Sequence, residues 1–299
     1  MSGAVSTSTG RPYGVARVAR EWGVARSPVY DRRRQVAVTS PPAKRGPKTA
    51  YSDGELTAHI RSVIKAAPFT GEGHRKVWAR LRWERDVRAG RPRVLRLMRE
   101  HALLAPQRAG TAHGPHTHDG TIVTEAPDRM WATDATATWT PGEGTVTVFA
   151  LIDHYTLECL GLHAAKPATR FEALEPIRQG VRAVYGGFQR GIATGLALRH
   201  DHGSQYVSDD FQAEIAFLGL GSSPSFVRAP QGNGIAEWFM GPLKEQLLWI
   251  HDCHDLDELN AALRRWRERY NEQWIVERHG YRSPAQARRD WYEPLPAAA

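Results

Sequence analysis

The stretch "GNGIAEWFMGPLKEQ" (residues 232–246) sets a single carboxylate, Glu237, inside an apolar and aromatic run. The spacing of Ile235, Trp238, Phe239 and Leu243 predicts a helix with a packed side. At about 100° per residue, Asn233 falls about −40° and Lys244 about −20° from Glu237, so three polar side chains share one face. Lys244 stands about 10 Å further along the axis, beyond the reach of a simple ion pair. A solvated stripe would carry further charges between them, yet Met240 and Gly241 fill the intervening turn. Two readings remain. Glu237 is an acid on a wet helix face, or it is one member of a metal site whose other members lie elsewhere.

Two further acids stand out by context. Asp134 lies inside an early strand, in "WATDATATW" (131–139), where a carboxylate is rare unless paired or bound to a cation. Asp201 follows the apolar "LALR" (196–199) at a strand's C-terminal end, where open α/β sheets place their ligands. Thirty-five residues separate Asp201 from Glu237. With 32 acids in 299 residues that count means little without its local contexts.

With those contexts, "WATDAT", "HDHGSQY" and "GNGIAEWFMGPLKE", in this order, resemble the catalytic core of insertion-sequence transposases. More narrowly they are similar to the second-reading-frame product (OrfB) of the IS-three family, within the retroviral-integrase superfamily. "GEGHRKVWARLRWERDVRAGRPRVLRLMREHALL" resembles the helical segment that precedes that core, and "RVAREWGVARSPVYDRRR" its N-terminal helix-turn-helix. The resemblance covers most of residues 13–290. It implies a ribonuclease H-like integrase core, a five-stranded mixed sheet with flanking helices, preceded by all-α DNA-binding segments. It also implies that Asp134, Asp201 and Glu237 are the catalytic and metal-holding acids and that Lys244 touches donor-end DNA.

The chemistry so implied is Mg²⁺-dependent cleavage and strand transfer at the terminal inverted repeats, with water and then the 3′-hydroxyl as nucleophile. Two Mg²⁺ ions roughly 3.5–4 Å apart serve the attacking and leaving oxygens, with Mn²⁺ able to substitute. Carboxylates, water and phosphate oxygens suit such an ion. Asp134 would bridge both, with Asp201 on one and Glu237 on the other. Asn233 and Gln205 are candidates for contact with DNA or for support of the acids from behind, or else hold local structure. His200 and His202 read as neighbours of phosphate or solvent, since Mg²⁺ disfavours nitrogen. The alternatives are a catalytically silent DNA-binding regulator or domesticated relic, and a structure-selective nuclease of the same fold.

Charge supports a nucleic-acid partner. Residues 1–118 carry 23 Lys/Arg against 8 Asp/Glu, and residues 119–299 carry 17 against 24. A basic front joined to an acidic back suggests that the front holds a polyanion. Residues 1–12 read as disordered, and 13–35 as two short helices around a Gly23 turn, with Ser27 as N-cap and Pro28 at the first helical position. The second helix would present Arg32, Arg33 and Arg34 to DNA, or be half of a surface hairpin with solvated arginines. Arg91, Arg93, Arg96 and Arg99 alternate with Val94, Leu97 and Met98, predicting a helix with a basic face on which Arg91 and Arg93 are DNA contacts.

The expected organisation is a helix-turn-helix over 1–39, a basic linker over 40–52, and a helical DNA-binding domain over 53–106. A second linker (107–126), the integrase core (127–251) and a helical extension (252–299) follow. His113, His116 and His118 read as a loop rather than a ligand set. Within the core, Pro176 should kink the helix "RFEALEPIRQGVRAVYG" (170–186). Only Cys159 and Cys253 are present, arguing against a disulfide scaffold or a cysteine-rich zinc module. No apolar run is long enough for a membrane span, and the N-terminus lacks a secretory signal. The expected setting is the bacterial cytosol, associated with the nucleoid. A homo-oligomer on paired ends, target DNA and an upstream-frame (OrfA) protein are the implied partners.

Overall fold

The computed structural model describes residues 3–37, 50–106, 122–225 and 233–293, with the side chains of 33–37 excepted. The loop of His113, His116 and His118, and the side chains of Arg33 and Arg34, lie outside that description. The chain divides into two compact units, Met1–Ala50 and Tyr51–Ala299.

The first unit holds α1 (Gly14–Glu21) and α2 (Arg26–Ala37). Val15 and Ala19 are buried, as their one-turn spacing requires. Gly23 takes a positive φ of 63° at the turn, a conformation that suits glycine. Two expectations are corrected. The second helix begins at Arg26, so Ser27 and Pro28 sit in its first turn, where Pro is tolerated because those N–H groups lack helical partners. Residues 4–13 are tied rather than disordered, by a bridge between Val5 and Pro12 and by Tyr13 N donating to Ala4 O at 3.0 Å.

The second unit opens with three helices, α3 (Asp53–Ala66), α4 (His74–Glu84) and α5 (Arg91–Glu100). Ser52 and Glu55 form a reciprocal capping box that fixes where α3 starts. Leu56, Ile60, Val77, Leu81, Val94, Leu97 and Met98 close one small core, while Trp83 stays exposed. Phe69 leaves that helical group and joins the apolar cluster of the sheet. Beside it, Thr70 N donates to Gln246 Oε1 at 3.0 Å and Gln246 Nε2 donates back to Thr70 O at 3.0 Å.

The sheet contains β1 (Met130–Thr140), β2 (Gly144–Asp153), β3 (Cys159–Ala165), β4 (Ala197–His200) and β5 (Gly221–Pro224). Its order is β3-β2-β1-β4-β5. β1, β2 and β3 form an antiparallel meander, and β4 and β5 run parallel to β1. The expected five-stranded mixed sheet with flanking helices is what forms. Alternation along β2 sends Phe149 and Leu151 to one face and Val148, Ala150 and Ile152 to the other. On the first face lie α6 (Arg170–Tyr185) and α7 (Asp209–Leu218). On the second lie α8 (Gly234–Leu243), its π-helical continuation Lys244–Leu248, and α9 (Leu256–Gln273).

The helix α6 runs unbroken through Pro176. The backbone of Pro176 lies against Gly161 of β3, where a Cβ would stand only 2.2 Å from Pro176 O. Glycine at 161 therefore permits the approach. The outer edge of β3 is closed by side-chain amides. Asn271 and Asn260 exchange paired hydrogen bonds, each of 2.9 Å, with the backbones of Cys159 and Ala164. Gln179 does the same for Leu162, at 3.2 Å in both directions.

The closing helix α10 (Pro284–Tyr292) is anchored through Arg288. Arg288 Nη1 donates to Asp128 Oδ2 at 2.5 Å, its Nε pairs with Glu158, and Asp153 lies at 3.9 Å. Burial opposes the cation, but the three acids outweigh it and hold its pKa up. Burial likewise pushes the Asp153 and Glu158 carboxyls up, against the pull of Arg288. Arg288→Met should cost about 3–5 kcal/mol at neutral pH, because it strands buried acids. In urea unfolding, the gap from the parent should narrow as pH falls and those acids take up protons. A variant as stable as the parent at pH 7 would contradict this account.

Candidate active site

The register of the sheet brings the first two acids together. Ala132 of β1 pairs with Arg199 of the parallel strand β4. Two residues on, Asp134 lies alongside Asp201, which follows β4 directly, and neighbouring strands stand about 4.8 Å apart. Asp134 pairs on its other side with Ala150, whose side chain packs on the same face as α8. Asn233, at the start of α8, donates from Nδ2 to Thr133 O at 3.1 Å. One helical turn later comes Glu237. The three acids therefore sit at one end of the sheet, two held by strand pairing and one by an amide anchor.

Local hydrogen bonds fix the two aspartates. Asp134 Oδ1 accepts from the N–H of Ala135 at 2.8 Å, and Asp201 Oδ1 accepts from the N–H of Gly203 at 2.8 Å. A side chain at 203 would crowd Asp201 and Gln205, since a Cβ there stands 3.0 Å from Asp201 Oδ1. The loop after Asp201 is also pinned to β5 and beyond. His200 Nδ1 donates to Asp201 O at 2.7 Å, His200 Nε2 accepts from Ser222 Oγ at 2.9 Å, and His202 Nε2 donates to Ser225 O at 2.6 Å.

Burial dominates the field that Asp134 shares with the other two acids. Burial above all pushes the Asp134 carboxyl up to about 6; the charges of Asp201 and Glu237 add to this, and the N–H of Ala135 and Lys244 oppose it. Partial desolvation raises Glu237 as well. Among the described residues Asn233 Oδ1 is buried without a hydrogen bond, beside the acid-bearing segment of Thr133 to which its own Nδ2 donates. Among the described residues, no three His, Cys, Asp or Glu side chains are grouped so as to hold an ion by themselves. The donor set is nonetheless all carboxylate oxygen, and Mg²⁺ keeps waters and takes substrate phosphate alongside one or two carboxylates.

Several expected contacts are corrected. Asn233 is only 5% exposed and serves as the helix anchor, so it does not face DNA. Arg93 is spent internally: its guanidinium donates to Asp53 at 2.6 and 2.8 Å and to Tyr51 O at 2.8 Å. Arg91 is half exposed, 3.5 Å from Glu277, and Arg32 is exposed. Gln205 and Lys244 are half-buried beside the acids. His200 is buried and hydrogen-bonded at both nitrogens rather than set toward solvent. Sequence reading missed the Gly203 contact, which the Asp-x-Gly spacing of a turn could have signalled.

Residues 53–110 match the HTH-like domain family, over α3–α5, and residues 219–284 match the integrase core domain family. The chain is 28% identical over 259 residues to the transposase of insertion sequence element IS986/IS6110 from Mycobacterium tuberculosis, spanning 80% of this chain and 89% of that protein. It is 28% identical over 240 residues to the transposase InsD of insertion element IS2D from Escherichia coli, spanning 78% and 77%. Among solved structures, the catalytic core of HTLV-2 integrase in complex with magnesium aligns at 17% identity and a TM-score of 0.42, over 55% of this chain and 98% of that one. A simian T-cell lymphotropic virus intasome chain aligns at 16% and 0.46, over 83% and 78%.

The matched families and relatives support a polynucleotidyl transferase of the DDE type, with an integrase core. Within that class the chain is similar to the insertion-sequence transposases, of the IS-three family. DNA transposition is accordingly its activity. No helix among the described residues is long and apolar enough to cross a membrane.

The raised Asp134 carboxyl yields a test without DNA. A group raised on folding contributes stability that is full below its unfolded value and is lost as pH rises through its folded value, here about 6. Metal-free Asp134→Asn protein should therefore melt higher than the parent at pH 7–8, and the difference should vanish near pH 4. A lower melting temperature for the variant at pH 8 would refute the shared-field account.

Proposed function

We propose that this chain cuts and joins DNA at the terminal inverted repeats of its insertion sequence, with Asp134, Asp201 and Glu237 as the acids that hold Mg²⁺. The observation that carries this reading is the sheet register that sets Asp134 alongside the segment of Asp201, with Asn233 tying the start of Glu237's helix to Thr133 O. Such a site favours cations. Two Mg²⁺ ions, when bound, supply charge stabilisation to the attacking and leaving oxygens of an in-line displacement.

The residues of the chain do the remaining work. Asp134, fixed by the N–H of Ala135, presents its free carboxylate oxygen between the other two acids. Gly203 orients the Asp201 carboxylate, and Asn233 holds the start of α8 so that Glu237 stays in range. Lys244 neutralises a phosphate of the donor end. Water and then the freed 3′-hydroxyl act as nucleophiles, so no covalent protein–DNA link is formed. The basic N-terminal segments, with Arg32, Arg33, Arg34 and Arg91, hold the ends electrostatically, and copies of the chain act together on paired ends, with an upstream-frame (OrfA) protein as partner. The setting we propose is the bacterial cytosol.

Incubation with labelled terminal repeats and Mg²⁺ tests the site. The parent should nick and then join ends, and Glu237→Gln should reduce both by about a thousandfold or more while still binding DNA. Equal activity in the two proteins would overturn the assignment; binding without Mg²⁺-dependent nicking by the parent would favour the silent regulator. Charge reversal at Arg32, Arg33 and Arg34 should weaken end binding and flatten its dependence on salt. Unchanged binding would remove these arginines from the interface.

A further inference from the structure

The wet face of α8 carries a large apolar group that the proposed chemistry does not use. Trp238 follows Glu237 directly and is 43% exposed. It belongs to none of the apolar clusters, since its neighbours Phe239 and Met240 supply the packing against β2 and α9. Among the described residues its indole has no ring, cation or hydrogen-bond partner. Of its neighbours three and four residues away on the helix, Ile235 and Pro242 lie toward the packed side, while Gly234 and Gly241 lie between the indole and Glu237 and carry no side chain. A Cβ at Gly234 would meet nothing within 4 Å among the described residues. Helical side chains lean toward the N-terminus, which is the end of α8 that Asn233 anchors beside Asp134.

We infer that Trp238 is a stacking platform for one nucleobase next to the scissile phosphate. The inference rests on the proposed DNA-cutting role of Glu237, one residue away. A strand whose phosphate lies over that carboxylate brings a base to the same helix face. Drawing that base out of its duplex stack is unfavourable, and an aromatic surface offsets the loss. Stacking of this kind tolerates any base, because each presents a π-face. Flanking glycines leave the indole uncovered along the helix for a planar ligand. A side chain held only by water would be expected to be polar here, as Glu237 and Lys244 are.

The test is equilibrium binding of pre-cleaved terminal-repeat duplexes in Mg²⁺, intact or with an abasic nucleotide on either side of the scissile phosphate. Trp238→Ala should weaken binding of intact ends on the order of tenfold, with Trp238→Phe retaining most of the affinity. An abasic nucleotide on one side should weaken the parent by a similar factor and leave Trp238→Ala no weaker than before. Equal abasic effects in parent and Trp238→Ala, or none in the parent, would overturn the platform. A change in the mass of the DNA-free assembly on Trp238→Ala, with the abasic effect intact, would assign the ring to a protein contact and overturn it as well. Failure of the parent to bind any end would sink the DNA-cutting reading itself, which separates the two outcomes. Melting temperatures of the variants should match the parent, because the side chain is exposed.

Discussion

The holding of a buried acid at one end of the sheet is the constraint on which the rest of the site depends. Asp134 is held in a strand, out of bulk water, with Asp201 just after the adjacent strand and Glu237 one helical turn from an anchor. Burial does most to disfavour the charged form of Asp134, and the charges of Asp201 and Glu237 add to it. The fold must therefore hold a carboxylate away from the water it would prefer. Strand pairing, the Ala135 and Gly203 N–H groups and the Asn233 amide all act on the acid-bearing segments rather than on the acids' charge alone.

Rigidity behind the site comes from the packing of both sheet faces. Phe149, Leu151, Ile177, Val181 and Phe211 fill one side. Val148, Ile152, Phe239, Leu243, Trp266 and Tyr270 fill the other, with Tyr270 stacked on Trp266 at 5.1 Å. Because α8 is part of that second core, Glu237 cannot be displaced without disturbing Phe239 and Leu243. The segment at Phe69–Thr70 closes on the same core through Gln246, so α3–α5 and the sheet share one compact unit.

Much of this was legible in the chain because it is written in local patterns. Alternation in 144–153 and the acid in 131–139 identify strands, and the apolar spacing around Glu237 identifies its helix. Long-range partners are not written that way. Nothing local says that Asp53 claims Arg93, or that Asn233 turns inward to Thr133 instead of outward to a ligand. Both depend on which segments meet in space. Pro176 shows the same limit: its backbone packs on Gly161 of a strand earlier in the chain, a contact that nothing in its own helix announces. The N-terminal turn at 4–13 escaped because it is held by backbone hydrogen bonds, such as Ser6 N to Arg11 O and Tyr13 N to Ala4 O, which leave no periodic pattern in the side chains.

The amides along β3 have a wider consequence. An unpaired strand edge is a template on which a second chain can add its own strand. Here Asn260, Asn271 and Gln179 occupy the backbone groups of Cys159, Leu162 and Ala164 in the manner of an absent sixth strand. Sheet extension from that side is thus forestalled within the monomer.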